Sequence, residues 1–225
     1  MGEILAADVW PNNGVLIRDG VKPLGFINNG DLTLDATHGL GTFWKLWRPT
    51  FMKRHDIVAA KAPDGVMDYH NLTYDDGTFD VVVFDPDYKY TGTPPPEDER
   101  YGVLASVPKR WQERRDDLLN GMVEQTRVLA EGGILMVKCQ SQNVCSHFEP
   151  QEYEVWEQGV RKLGLKIVTR YYFLGSRSQS FTDGRVESDD PEGPPTGKPR
   201  KQRNPRNNLS CLMLFRKPKR WKMPT

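Results

Sequence analysis

Phe79-Asp80-Val81-Val82-Val83-Phe84 runs directly into Asp85-Pro86-Asp87-Tyr88. Apart from Asp80, the first six residues are β-branched or aromatic. Such a continuous run predicts a strand covered on both faces. The Asp-Pro turn then ends it, because proline has no N–H for a ladder. Upstream, Leu32 to Asp35 reads as a short buried strand that stops at the glycine turn Ala36-Thr37-His38-Gly39-Leu40-Gly41. Thr42 to Trp47 reads as a short helix ended near Pro49. Phe51 to Asp56 reads as a second strand, and Gly65 to Asp68 as a third, very short one. Downstream, Leu118, Leu119, Met122, Val123, Thr126 and Leu129 carry helical spacing over Gln112 to Ala130. Gly132-Gly133 punctuates it, and Ile134 to Val137 is another buried strand. A helix over Tyr153 to Leu163 closes at Gly164. Leu165 to Leu174 and Leu209 to Phe215 are the final strands.

Strands alternating with helices predict a parallel sheet with crossover helices. The last two strands have no helix between them, so the final pair is expected to be antiparallel. The connection from Asp56 to Gly65 is too short for a full helix, so one face of the sheet should be thinly covered. A single domain over 1–225 is expected. It would carry an N-terminal extension (1–30), a loop on the substrate side (89–110) and a long mobile loop (175–208). The last is rich in Pro, Gly, Ser and charge.

The 225 residues carry a net charge of +1, so the overall field selects no partner. Its distribution says more. From Lys198 onward there are ten Lys or Arg and no acid, whereas Asp183 to Glu192 is acidic. Three cysteines, Cys139, Cys145 and Cys211, lack metal-ligand spacing, so no metal is expected and a reducing cytoplasm is the simplest compartment. No apolar run is long enough to span a membrane. Met1 to Asp19 lacks the pattern of a secretory signal.

A glycine turn between strand and helix lets a ligand approach the backbone. A dinucleotide site would want a third glycine at position 44, where Trp44 stands. Asp35 would also repel a pyrophosphate. It suits instead a ligand carrying an ammonium and a sulfonium, as S-adenosylmethionine does. Asp56 follows Asp35 by 21 residues, the usual place for an acid on ribose hydroxyls. Asp68 could accept from an adenine amino group, with Tyr69 beside the ring. Thr37, Gly39 and Gly41 complete the expected cofactor set. His38 reads as a turn residue lining the pocket.

Asp85, Pro86 and Tyr88 form the second constellation. An exocyclic amine on a base is a poor nucleophile, because its lone pair is delocalised into the ring. Acceptors for its two hydrogens stabilise the positive charge that develops as it is alkylated. The Asp85 carboxylate and Pro86 carbonyl suit that role. Tyr88 offers a flat face for a flipped-out base.

These residues carry a resemblance. The chain resembles the amino-methyltransferases of DNA, whose loop reads Asp, Asn or Ser, then Pro-Pro, then Tyr or Phe. It also resembles small actinobacterial and phage-encoded methyltransferases. Those share Asp85-Pro86-Asp87-Tyr88-Lys89-Tyr90-Thr91-Gly92-Thr93-Pro94, Arg100-Tyr101-Gly102 and Val137-Lys138-Cys139-Gln140. The likeness covers Leu32 to Gln142 and extends to the Asn207 to Arg216 end. It implies an α/β, Rossmann-like class I methyltransferase fold, with a seven-stranded, mostly parallel sheet and an antiparallel last strand. It implies S-adenosylmethionine as cofactor, and methyl transfer to adenine N6 or cytosine N4 of DNA. Asp87 departs from the family loop, which has its second proline there.

Asp87, Lys89, Arg100, Tyr101, Lys138 and Gln140 are expected to touch substrate. Basic residues interleaved with aromatics in 89–110 suit a nucleic-acid strand. The basic run 198–206 suits phosphate contact. Cys139 could be the nucleophile of a cytosine C5 chemistry. It reads instead as a small buried residue, since no cysteine stands in the Asp85 loop. Two further readings stay open: methylation of RNA, a protein or a small molecule, and a catalytically weak protein that binds nucleic acid.

Overall fold

The computed structural model describes residues 9–87, 111–144, 147–174 and 209–222. Seven strands share one sheet. They are β1 (Val9–Trp10), β2 (Thr33–Asp35), β3 (Met52–Arg54), β4 (Phe79–Phe84), β5 (Leu129–Cys139), β8 (Lys166–Leu174) and β9 (Leu209–Arg216), in the order β1-β8-β9-β5-β4-β2-β3. A small hairpin, β6 (Gln142–Val144) with β7 (His147–Glu149), stands apart from it. Every pairing in the large sheet is parallel except those of β9, which runs antiparallel to both β5 and β8.

The count of seven is met by a different set of strands from the one expected. Gly65 to Asp68 does not form a strand. Val66 makes a single parallel bridge to Asp56. The Pro63-Asp64-Gly65 turn before it and the turn at Tyr69-His70 after it leave too little extended chain there to build a ladder. Its place in the count is taken by Val9–Trp10, which pairs with Tyr172 and Phe173 at the opposite edge. The expected helix after the glycine turn is only a short 3₁₀ turn, Thr42–Trp44, since Pro49 leaves it little room.

Side chains alternate across the strands, so each face has its own core. On one face Phe79, Val82, Phe84, Leu135, Val137, Met213 and Phe215 pack against α2 (Trp111–Val128) and α3 (Gln151–Glu157). Gly121 lets α2 settle onto β4: a Cβ there would lie 2.5 Å from the Phe84 ring. On the other face Val81, Val83, Ile134, Met136, Leu212 and Leu214 are covered by Trp10, Leu16, Ile17, Val21, Ile27, Phe43 and Trp44. That cover is thin, as expected. It comes from α1 (Asn13–Val15) and the wide π turn Leu16–Val21 that continues it. The described part of the N-terminal stretch supplies side chains to this core. Each large apolar side chain fully buried contributes about 1.5–3 kcal/mol. Among the described residues no helix is long and apolar enough to cross a membrane.

Candidate active site at the carboxyl end of the sheet

The parallel strands β2 and β4 lie side by side, with Asp35 paired to Val83. Their carboxyl ends therefore open onto the same crevice, the usual ligand position in such sheets. β5 joins them, pairing Val137 with Phe84 and so bringing Lys138 to the level of Asp85.

The glycine turn is built from below. Asp35 is 2% exposed. Its carboxylate accepts the Thr37 backbone N–H at 3.1 Å and the Trp44 indole N–H at 2.6 Å, and lies 3.3 Å from His38 Nδ1. Three of the roughly four acceptor positions of a carboxylate are thus filled by the chain itself. Asp56 closes the turn from the side, accepting the Gly39 N–H at 2.9 Å and the Val58 N–H at 2.9 Å. Gly39 and Gly41 hold φ of 55° and 63°, which other residues adopt at a cost. A Cβ at Gly39 would meet nothing closer than 3.8 Å, so the turn is open there. At Gly41 it would meet the His38 ring at 3.0 Å.

Thr37 connects the two constellations. Its hydroxyl accepts the Asp85 backbone N–H at 2.8 Å across 48 residues of sequence. Asp85 is held in a crowded place. Burial raises its pKa above the ordinary carboxylate value; Lys138 opposes that shift, and Asp35 and Asp87 add to it. Lys138 is itself buried, at 8% exposure. Its ammonium donates to Asn13 Oδ1 at 2.9 Å and lies over the Phe173 and Phe43 rings at 4.8 and 5.5 Å. Asn13 in turn donates to the Thr42 hydroxyl at 3.3 Å. Pro86 is buried beside Asp85 and Asp87 is exposed. Gln140 gives its backbone N–H to the Gln151 side chain at 2.6 Å, at the mouth of the same end.

Asp68 is exposed and accepts the His70 N–H at 2.9 Å. Tyr69 packs edge-on against Phe84, with centroids 5.2 Å apart. Burial, then the charges of Asp117, Asp68 and Asp87, raise its phenol pKa. Its ring is a wall of the crevice as much as a free surface. Cys139 is fully buried, directly opposite Cys211 on β9. Its thiol pKa is raised well above the usual value by the hydrogen bond with Cys211 and by burial. Tyr88, Lys89, Arg100, Tyr101 and the stretches 89–110, 175–208 and 198–206 lie outside the described residues.

Asn13, Trp44, Phe43, Phe173 and Arg114 belong to this end of the sheet and were not legible as site residues. Trp44 looked like a missing glycine. Its real part is to donate to Asp35. Among the described residues no cluster of His, Cys, Asp or Glu could hold a metal ion.

No protein-family model and no curated protein matches the sequence. Solved structures do match in fold. The MccD protein aligns with 92% of this chain and 100% of its own, at 15% identity and a TM-score of 0.52. The N-methyltransferase NodS from Bradyrhizobium japonicum aligns with 92% and 94%, at 13% identity and a TM-score of 0.52. TTHA0409 from Thermus thermophilus, provisionally named a DNA modification methylase, aligns at 16% identity and a TM-score of 0.39 in its complex with S-adenosyl-L-methionine. This chain spans about half the length of that protein. At such identities the likeness is one of fold: the chain shares the Rossmann-like α/β architecture of MccD and of the N-methyltransferase NodS.

Proposed function

We propose that the chain is an S-adenosylmethionine-dependent methyltransferase acting on an exocyclic amino group of a nucleic-acid base, first of all adenine N6 or cytosine N4 of DNA. The observation that carries this reading is the 2.8 Å bond from Asp85 N–H to the Thr37 hydroxyl. It ties the loop suited to a cofactor to the loop suited to an amine, at the half-buried Asp85 carboxylate.

The residues fit the cofactor. The open turn at Gly39 admits a ligand against the backbone. Asp35 keeps an acceptor position for an ammonium, and Asp56 has room beside its two N–H donors for ribose hydroxyls. Asp68 and Tyr69 stand on the adenine side. When bound, S-adenosylmethionine supplies an electrophilic methyl group. Everything else is done by the chain. Asp85 accepts one amine hydrogen and the Pro86 carbonyl the other, which localises the nitrogen lone pair and neutralises the charge it acquires. The nitrogen would bond to the methyl carbon as that carbon's bond to the sulfonium sulfur breaks and a neutral thioether leaves; the nitrogen would then lose its proton to solvent, so no general base is needed. Lys138 favours the ionised, accepting form of Asp85 against the cost of burial. Tyr88 would stack the base, with Lys89, Arg100, Tyr101, Gln140 and the basic stretch 198–206 on the strand around it.

The test is transfer of tritiated methyl to duplex DNA, single-stranded DNA and total RNA in parallel, followed by digestion to nucleosides. Label on N6-methyladenine or N4-methylcytosine is the expected result. Label in RNA alone would move the acceptor to RNA. No label in any polymer, with the cofactor bound, would move it to a protein or small molecule. Nucleic-acid binding without cofactor binding would leave a non-catalytic binder.

A further inference from the structure

We infer that the ion pair between Asp87 and Arg114 positions the amine-binding turn, in place of the proline that the resembling loops carry there. The inference rests on the proposed reaction for its rate measurement and on packing for the rest.

Arg114, Leu118 and Met122 form one i, i+4 row on α2, and all three are buried. That row faces β4. A residue in it is expected to be apolar, yet Arg114 is 7% exposed and carries a full charge. A buried guanidinium is costly unless an acid meets it. Asp87 does so, with Oδ2 at 3.7 Å from Nη1. The helix is a rigid support for that contact, because Gly121 lets it lie directly on Phe84, the residue before Asp85.

A proline at position 87 would lock φ and remove an N–H. Asp87 does neither. Its carboxylate, anchored to a buried cation on a fixed helix, restrains the turn by another route. The same contact has an electrostatic effect. Asp87 adds to the forces that protonate Asp85. Drawing its charge toward Arg114 lessens that influence beside the reacting amine.

The experiment compares wild type with Arg114→Met, Asp87→Asn, Asp87→Pro and Arg114→Met/Asp87→Pro. It measures kcat, KM for DNA, cofactor Kd and thermal midpoint. Arg114→Met and Asp87→Asn should each lower kcat by about 10–100-fold, the scale of a small misplacement of reacting groups. Cofactor Kd should stay within about 2-fold in both, since Thr37, Asp35 and Asp56 are untouched. Asp87→Pro should lower kcat less than Asp87→Asn does, because proline restrains φ by itself, and in the Arg114→Met background it should raise the rate above that of Arg114→Met alone. Rescue is the outcome a merely structural arginine would not give. Full activity in Arg114→Met, or a double variant as slow as Arg114→Met, overturns the inference. If Arg114→Met does not fold, Asp87→Asn and Asp87→Pro carry the test: full activity in the first, or a loss in the second as large as in the first, overturns it. If wild type methylates no acceptor, the proposed reaction fails, and the tether is judged on midpoints alone. Arg114→Met and Asp87→Asn should then be non-additive, and strict additivity overturns the tether.

Discussion

At the amino end of β4 and β5, Arg127 places all its donors: two on Glu124, one on Asp76, and one each on the carbonyls of Tyr74 and Leu72, at 2.7–2.9 Å. Nearby, the buried Lys217 ammonium donates to the Thr126 and Leu129 carbonyls at 2.8 and 2.6 Å, holding the last turn of α2. At the carboxyl end of the same strands, Asp85 sits half-buried with Asp35 and Asp87 near it and Lys138 as its opposing charge. One end satisfies its charges and lowers the pKa of its acid, Glu124, chiefly through Arg127. The other keeps its acid at a cost, with its pKa raised by burial. A fold keeps such a cost where it is useful, and a raised carboxylate in a crevice is a marker of function.

The comparison is broken most sharply by Asp85→Asn. Loss of the accepting charge should reduce methyl transfer by about 10²–10³-fold. The same change should stabilise the protein at neutral pH. The sign follows from the raised folded pKa. Between the ordinary aspartate value and that pKa, the folded chain holds more protons than the unfolded one. Wild-type stability therefore falls as pH rises through this window. The advantage of the asparagine variant should be greatest above the folded pKa and should fade as pH drops toward the ordinary value. Activity in wild type should run the other way, declining as pH falls through the same window. Thermal midpoints across pH, set beside kcat/KM, read both. A variant that is inactive and also less stable at neutral pH would remove the contrast between the two ends.

The amino end predicts the opposite pairing of effects. Arg127→Met strands two backbone carbonyls and separates two acids from their cation. It should cost about 2–4 kcal/mol of stability. Glu124 has a depressed pKa, so its contribution is present above the unfolded glutamate value and lost as pH falls through the folded one. Urea unfolding at several pH values measures this. Per folded molecule, methyl transfer should be unchanged. A large loss of kcat in the folded variant would mean that the two ends are not separate.

Local chemistry carried much of this into the sequence. The run Phe79 to Phe84 became β4 with those bounds, because continuous β-branched and aromatic residues have few other uses. The Pro-, Gly- and charge-rich sequence between the last two strands, with no helical period, pointed to the reversed β9. The glycine turn was legible because positive φ demands glycine. Interactions across long separations were not. Lys138 and Asn13 lie 125 residues apart, and nothing near either one points to the other. Leu16, Ile17 and Val21 help cover one sheet face from a wide turn too short to show a helical period. Arg114 reads as one more charge at the start of a helix until α2 is laid on β4.

The smallest expected effect belongs to Cys139, at the carboxyl end yet outside its chemistry. Methylation of a ring carbon would need a thiolate, and only the thiolate attacks. Cys139 is fully buried, hydrogen-bonded to Cys211, and has its pKa raised well above the usual value. All three oppose ionisation. Cys139→Ala should therefore leave the rate within about 3-fold and cost about 1 kcal/mol for the small cavity. The labelled nucleoside should be the same as that of wild type. Abolished transfer in a folded Cys139→Ala protein, or label on a ring carbon, would relocate the chemistry from Asp85 to β5. The costly carboxylate at this end would then have lost its reason.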